Sequence, residues 1–281
     1  MAYKSLLSVI GSQNGLGTAI AGAATVALDA DAHLEILALG TDRSQLGYSY
    51  MSTSSIMLQM ESDRVAEELQ QTEAGLKTAL NAQPPTLRWS MDAAITQLGA
   101  LNELVASRAR YADLVVLPKP YEIGIGAEAE AVVEAALFEG MAPVLIVPQK
   151  AAVKASPGTV VLAWNQSREA LVAARRALPF LKRANRVVIT VIDPPASGRE
   201  RSDPGGALCQ LLVRHGVRAE VSVLARTLPR VSEVLARQCQ DLGADLLVMG
   251  AYGHSRFREA ILGGATRQML EQTALPVFMA H

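Results

Sequence analysis

The sequence is poor in cysteine: Cys209 and Cys239 are its two thiols in 281 residues. Two cysteines at this spacing make neither a disulfide framework nor a zinc pattern, and both are expected to be buried apolar side chains. Charge of one sign is also missing, since 26 Lys and Arg stand against 27 Asp and Glu, for a formal net charge of −1. A general nucleic-acid binder needs a positive surplus to displace counterions, so nucleic acid is not an expected partner. No run reaches the roughly 18 uninterrupted apolar residues of a membrane span, so membrane insertion is not expected either. The opening stretch MAYKSLLSVIGS lacks a long apolar segment and a small-residue cleavage site, so a secretory signal is not expected and the cytoplasm is the expected location. Paired carboxylates and metal-spaced His/Asp clusters are absent from the pattern, which predicts no metal. Ser12, Ser167 and Ser255 lack an adjacent His–acid arrangement, which argues against nucleophilic catalysis. What is abundant is apolar residues, at 50%. With so little net charge this excludes a disordered chain, and the length suits two modest domains.

An internal repeat organises the chain. SLLSVIGS (5–12) matches VVLAWNQS (160–167), each an apolar run ending at a serine able to cap a helix. HLEILALG (33–40) matches RVVITVID (186–193), and LRWSM (87–91) matches RAEVSVL (218–224). YADLVVLPKP (111–120) matches GADLLVMGAY (243–252), including an Ala-Asp before the apolar run. APVLIVPQ (142–149) matches LPVFMAH (275–281), each with a proline just ahead of a strand. Leu6 and Val161 lie 155 residues apart, whereas Leu114 and Leu246 lie 132 apart. The first copy therefore carries about 23 extra residues, assigned to an elaborated connection around 41–65, part loop and part helix.

Helical patterns separate the strands. Residues 15–30 are Ala-rich with good helix propensity. Residues 61–81 carry Val65, Leu69, Leu76 and Leu80 on one face. Copy two repeats this at 167–184, where Pro179 should kink or end the helix, and at 228–242. Alternating strands and helices imply parallel βαβ units with right-handed crossovers. Near-continuous apolar strands such as LVVL and LLVM require a sheet covered on both faces. The expectation is an α/β protein of two doubly wound five-stranded parallel-sheet domains in tandem, 1–150 and 156–281, joined by a linker near 149–158.

In such a sheet, ligands bind beyond the carboxyl ends of the strands, where strand order reverses. After the fourth strand of copy two comes GAYGHSRFREAILGGATRQML (250–270), with Gly263-Gly264 just before a helical run. Glycines allow close backbone approach, and a helix opened by glycine offers free N–H groups to an anion. His254, Arg256 and Arg258 lie in the loop and Arg267 in the helix's first turn.

The spacing Gly250-x2-Gly253-x9-Gly263 resembles the nucleotide-binding motif of the universal stress protein family, Gly-x2-Gly-x9-Gly-Ser/Thr. The repeat order over the whole chain is similar to that of a tandem universal stress protein. The resemblance implies a Rossmann-like fold of the adenine-nucleotide α-hydrolase type, and a site for ATP or another adenine nucleotide, with or without Mg²⁺. It implies that Ala163 and Asn165 close the first strand beside the ligand and that the backbone around Val191 meets adenine. Met249 and Gly250 would meet the ribose; Gly253, Gly263, Gly264 and Ala265 would face the phosphates, with Thr266 close by. Two positions depart from the family pattern: Gly264 replaces the hydroxyl residue, and Asn165 replaces an aspartate whose task is to bind ribose.

Copy one has no such spacing after its fourth strand. Gly124-x-Gly126 does not fit, Glu122, Glu128 and Glu130 would repel phosphates, and the position matched to Asn165 is Ile10. The resemblance implies that copy one pairs with copy two as a dimer's second subunit would, through the two last strands. The expected function is a stress-response regulatory module that is not an enzyme, any ATP hydrolysis being slow and incidental, with a protein partner and further homodimerisation left open. The alternative is a ligand-independent interaction or scaffold protein that has lost nucleotide binding. A site for another phosphorylated or anionic small molecule is a third reading.

Overall fold

In the computed structural model, residues 3–43, 55–126, 128–194, 202–251 and 264–281 are described. They divide into two compact units, Tyr3–Ala142 and Pro143–His281.

In the first unit the chain runs β1 (Ser5–Ile10), α1 (Leu16–Ala30), β2 (His33–Asp42), α2 (Ser55–Asn81), β3 (Arg88–Gln97), α3 (Leu101–Ala109), β4 (Leu114–Pro118) and α4 (Glu128–Glu134). A π-helical turn, Ala135–Glu139, continues α4. The strands lie in the order β3-β2-β1-β4, all parallel. The central strands β1, β2 and β4 are apolar because helices cover both faces, and Leu6, Leu34, Ile36 and Leu114 are wholly buried. In α2 the residues Val65, Leu69, Leu76 and Leu80 are buried, as the helical period requires. The helix starts at Ser55, so the later part of the 41–65 connection is helical, while residues 44–54 lie outside the described residues.

The second unit contains β5 (Val144–Val147), β6 (Thr159–Ala163), α5 (Arg168–Arg176), α6 (Leu178–Arg183), β7 (Arg186–Ile192) and α7 (Gly206–Arg214). It continues with β8 (Ala219–Leu224), α8 (Val231–Asp241), β9 (Leu246–Gly250), α9 (Ala265–Gln272) and β10 (Val277–Ala280). Pro179 divides the 167–184 helix into α5 and α6, because proline cannot donate to the preceding turn. The strand order is β5-β10-β9-β6-β7-β8. Every pairing from β10 to β8 is parallel, and β5 is antiparallel to β10, with Leu145 opposite Phe278. The last apolar strand of copy one thus occupies what would otherwise be an open edge beside β10. Phe278 is fully buried and meets Phe180 edge-to-face, with centroids 6.1 Å apart.

The repeated Ala-Asp dipeptide has a structural reason. Asp113 accepts from the backbone N–H groups of Lys4 (2.7 Å) and Ser5 (3.1 Å), and its own N–H donates to Ser5 O. Asp245 accepts from Gly158 N (2.7 Å) and Lys154 Nζ (2.6 Å), and its own N–H donates to Thr159 O. In each copy this aspartate fastens the beginning of the first strand to the beginning of the fourth. Burial alone would raise the Asp245 carboxyl, but the Lys154 hydrogen bond and charge, with the Gly158 and Thr159 backbone, hold it below its ordinary value.

These contacts also correct the repeat register. Leu6 pairs with Leu114 and Val160 with Leu246, so Ser5 corresponds to Thr159 and the residue matching Asn165 is Gly11, not Ile10. The serines differ too. Ser167 caps α5, its Oγ accepting from Ala170 N at 3.1 Å, whereas α1 is capped by Gly15 in a left-handed conformation. Ser12 instead accepts from Asn14 N and donates to Gly124 O. Cys239 is buried as expected, but Cys209 is half-buried, since its helix α7 covers the outer strand β8.

Candidate functional site

In the second unit strand order reverses between β6 and β9, so the crevice lies at the carboxyl ends of these two strands. Ala163 ends β6, and Trp164 continues the ladder by donating its N–H to Thr190 O at 2.9 Å. Trp164 is buried, so its ring belongs to the packing. Asn165 is exposed, and its Oδ1 accepts from Ser167 N at 3.1 Å. That is the short side-chain-to-backbone turn asparagine favours, and Gln166 takes the left-handed φ of 65° within it. The carboxamide oxygen is thereby engaged in the turn, which leaves the amide N–H groups to donate outward.

Val191, near the end of β7, is buried, and Ile192 and Asp193 follow. Asp193 has a φ of 45°, donates its N–H to Leu224 O and accepts from Arg226 N at 3.4 Å, so it is a turn residue. Thr190, one residue before Val191 and on the opposite face, has a buried Oγ1 without a hydrogen-bond partner. A buried unsatisfied hydroxyl is costly, and this one lies opposite Ala163 at the strand ends.

At the end of β9, Met249 is buried and Gly250 meets the first turn of α5. A Cβ at Gly250 would lie 2.6 Å from Ala170 N and 2.8 Å from Glu169 C, so only glycine lets α5 approach this strand end. Ala251 follows, wholly buried, and His281 Nδ1 lies 2.9 Å from its carbonyl, which accounts for that histidine without a metal. Gly264 caps α9 and accepts from Gln268 N at 3.1 Å. Ala265 is exposed in the first turn, whereas Thr266 is buried. Arg267 is paired with Glu271 at 3.1 Å. Gly253, Gly263, His254, Ser255, Arg256 and Arg258 lie outside the described residues.

The structure therefore places Ala163, Asn165, Met249 and Gly250 at the carboxyl ends of the neighbouring strands β6 and β9, and Gly264 and Ala265 at the start of the helix in the crossover from β9 to β10. Sequence reasoning missed Thr190, since an unsatisfied hydroxyl inside an apolar strand has no signature in the pattern. Among the described residues, no group of three or more His, Cys, Asp or Glu side chains is placed to hold a metal ion. Among the same residues, no helix is long and apolar enough to cross a membrane.

The fold defines an α/β protein of repeated parallel-sheet units whose strand order reverses between neighbouring strands. Residues 158–281 match the Universal stress protein family. A universal stress protein of Synechocystis sp. is 30% identical over 110 residues, a match spanning 37% of this chain and 37% of that relative. Over nearly the whole chain the fold is similar to solved structures. A universal stress protein from Archaeoglobus fulgidus superposes with a TM-score of 0.69 at 14% identity, covering 99% of this chain and 96% of that one. A functionally unknown protein from Pseudomonas aeruginosa PAO1 gives 0.59 at 17% identity, covering 99% and 92%.

Proposed function

We propose that this chain is a tandem universal stress protein, with Usp-like domains at 1–150 and 156–281, acting as a regulatory module that binds ATP or another adenine nucleotide in the second. The observation that supports this reading is the switch point of the second sheet. There β6 ends at Ala163 and its parallel neighbour β9 ends at Gly250, and the glycine-capped, eight-residue α9 lies in the crossover from β9 to β10.

The residues fit an adenosine phosphate as follows. The Asn165 amide donates to a ribose hydroxyl, and the Val191 backbone meets the base. Met249 and Gly250 border the sugar; Gly264 and Ala265, at the start of α9, meet the phosphates, which the helix dipole favours, and the motif assigns Gly253 and Gly263 to the same phosphates. Occupancy changes the surface a protein partner meets, through differential affinity of the nucleotide for two states of the domain. The protein is not an enzyme on this reading; hydrolysis is slow and incidental, and the cytoplasm is its location.

Gly253→Val or Gly263→Val should abolish nucleotide binding with the fold intact, and undiminished binding in both would overturn the site. A second reading, a ligand-independent scaffold, is favoured by one observation: the N-cap of α9 is Gly264, which has no hydroxyl, and Thr266 is a buried residue. It predicts that wild-type protein binds no nucleotide and that Gly264→Ser gains binding.

A further inference from the structure

The first unit has a crevice of its own at the carboxyl ends of β1 and β4, and its chemistry differs from that of the second. It encloses about 410 Å³ of non-atom space, part of it open to solvent. Its walls are apolar, from Val9, Leu39, Leu117, Ile125 and Val132. The loop after β4 is held over it from the β1 side, where Ser12 Oγ and Asn14 Nδ2 both donate to Gly124 O, at 3.0 and 3.1 Å. Apolar walls of this kind suit a hydrocarbon chain.

One charged group faces this space and the adjoining cleft beside α2: Glu128, in the first turn of α4, ion-paired with Arg43 after the end of β2. The two partners are unequally held. The Glu128 side chain is 11% exposed, and the Arg43 side chain is 45% exposed. Arg43 can turn into water at little cost, whereas Glu128 stays where it is, and a nearly buried carboxylate needs a partner. Arg64 and Glu68, on the wall of the adjoining cleft, pair with each other at 2.5 Å. The Thr41 Oγ1 on that wall is buried without a hydrogen-bond partner. An anion entering here would meet Glu128 and could engage Arg43 only by stripping that carboxylate of its cation. A cation can replace Arg43 directly.

We propose that the crevice of the Tyr3–Ala142 unit is a binding site for a small linear alkylamine. Its chain lies among Val9, Leu39, Leu117 and Val132, and its ammonium takes the place of the Arg43 guanidinium on Glu128. Arg43 is then a competing internal cation that moves aside when the ligand enters. This site does not depend on nucleotide binding in the second unit.

The test uses the full chain with hexylammonium as probe, hexanoate and hexanol as controls, and the methyl resonances of Val9, Leu39, Leu117 and Val132 as readout. Hexylammonium should shift these methyls saturably and more tightly than either control. Glu128→Gln should weaken it roughly tenfold or more, since a charge-assisted contact is lost. Arg43→Ala should strengthen it, a direction that a merely structural ion pair would not give. Unshifted methyls in folded wild-type protein, tighter binding of hexanoate than of the amine, or weaker amine binding by Arg43→Ala would each overturn the proposal.

Discussion

Replacing Gly250 by alanine adds one methyl group at the place where β9 meets α5. The new Cβ would lie 2.6 Å from Ala170 N, 2.8 Å from Glu169 C and 3.0 Å from Glu169 Cβ. Ordinary van der Waals contact begins near 3.4 Å, so the first turn of α5 must retreat by about 0.8 Å (3.4 − 2.6). Two of the three atoms are backbone, so no side-chain rotation relieves the conflict. The helix cannot retreat freely, because Ala170, Ala173 and Ala174 are all buried beneath it. Overpacking of this kind costs about 1–3 kcal/mol. For a unit of this size that corresponds to a fall of roughly 4–12 °C in Tm. Thermal unfolding followed by circular dichroism measures it, with Gly17→Ala as the companion. Gly17 is exposed in the first turn of α1, with nothing within 4 Å of an added Cβ, so alanine there should stabilise by up to about 0.5–1 kcal/mol. A Gly250→Ala protein that melts with wild type would refute the close approach of α5 to the strand end, and with it the geometry of the proposed ribose contact.

Asp245→Asn removes the ion pair with Lys154 and weakens the fastening at Gly158. Because the folded carboxyl lies below its ordinary value of 3.8, its stabilisation is fully present above the unfolded value and is lost as pH falls through the folded one. Urea unfolding between about pH 3 and pH 6 should therefore show a shallower acid loss of stability in the variant than in wild type; equal slopes would exclude the aspartate as a source of that loss. Burial pushes the Cys239 thiol up to about 12, while burial, then Asp203 and Glu220, raises the half-buried Cys209 thiol. A thiol reagent near pH 8 should label Cys209 first and reach Cys239 only on unfolding; equal native labelling rates would contradict the packing of α8.

The sheet was legible because its strands are short apolar runs that recur in order, and because Val65, Leu69, Leu76 and Leu80 keep a helical period. Pro179 marked its break for the same kind of reason, a local rule that tertiary contacts do not override. The register of the first strand was not legible to the residue. SLLSVIGS and VVLAWNQS align equally well one position apart, and only the pairing of Leu6 with Leu114 and Val160 with Leu246 decides that Gly11 matches Asn165. The serines at the ends of these runs looked alike, yet Ser167 caps a helix and Ser12 ties down the loop at Gly124, a partner 112 residues away. In the candidate site, glycine spacing marked Gly250, and Gly264 stood out as the position without the family's hydroxyl. The Asn165 turn, the buried Thr190 hydroxyl and the burial of Thr266 depend on which way side chains point, and the sequence pattern does not carry that.

The central claim concerns a nucleotide in the second unit. Calorimetric titration of the full chain with ATP, with and without Mg²⁺ and repeated with AMP, tests it most directly. The account predicts binding at one site per chain, abolished by Gly253→Val. Two sites would contradict the reading of the first unit, and a folded, monodisperse sample that gives no binding heat would contradict the nucleotide module itself.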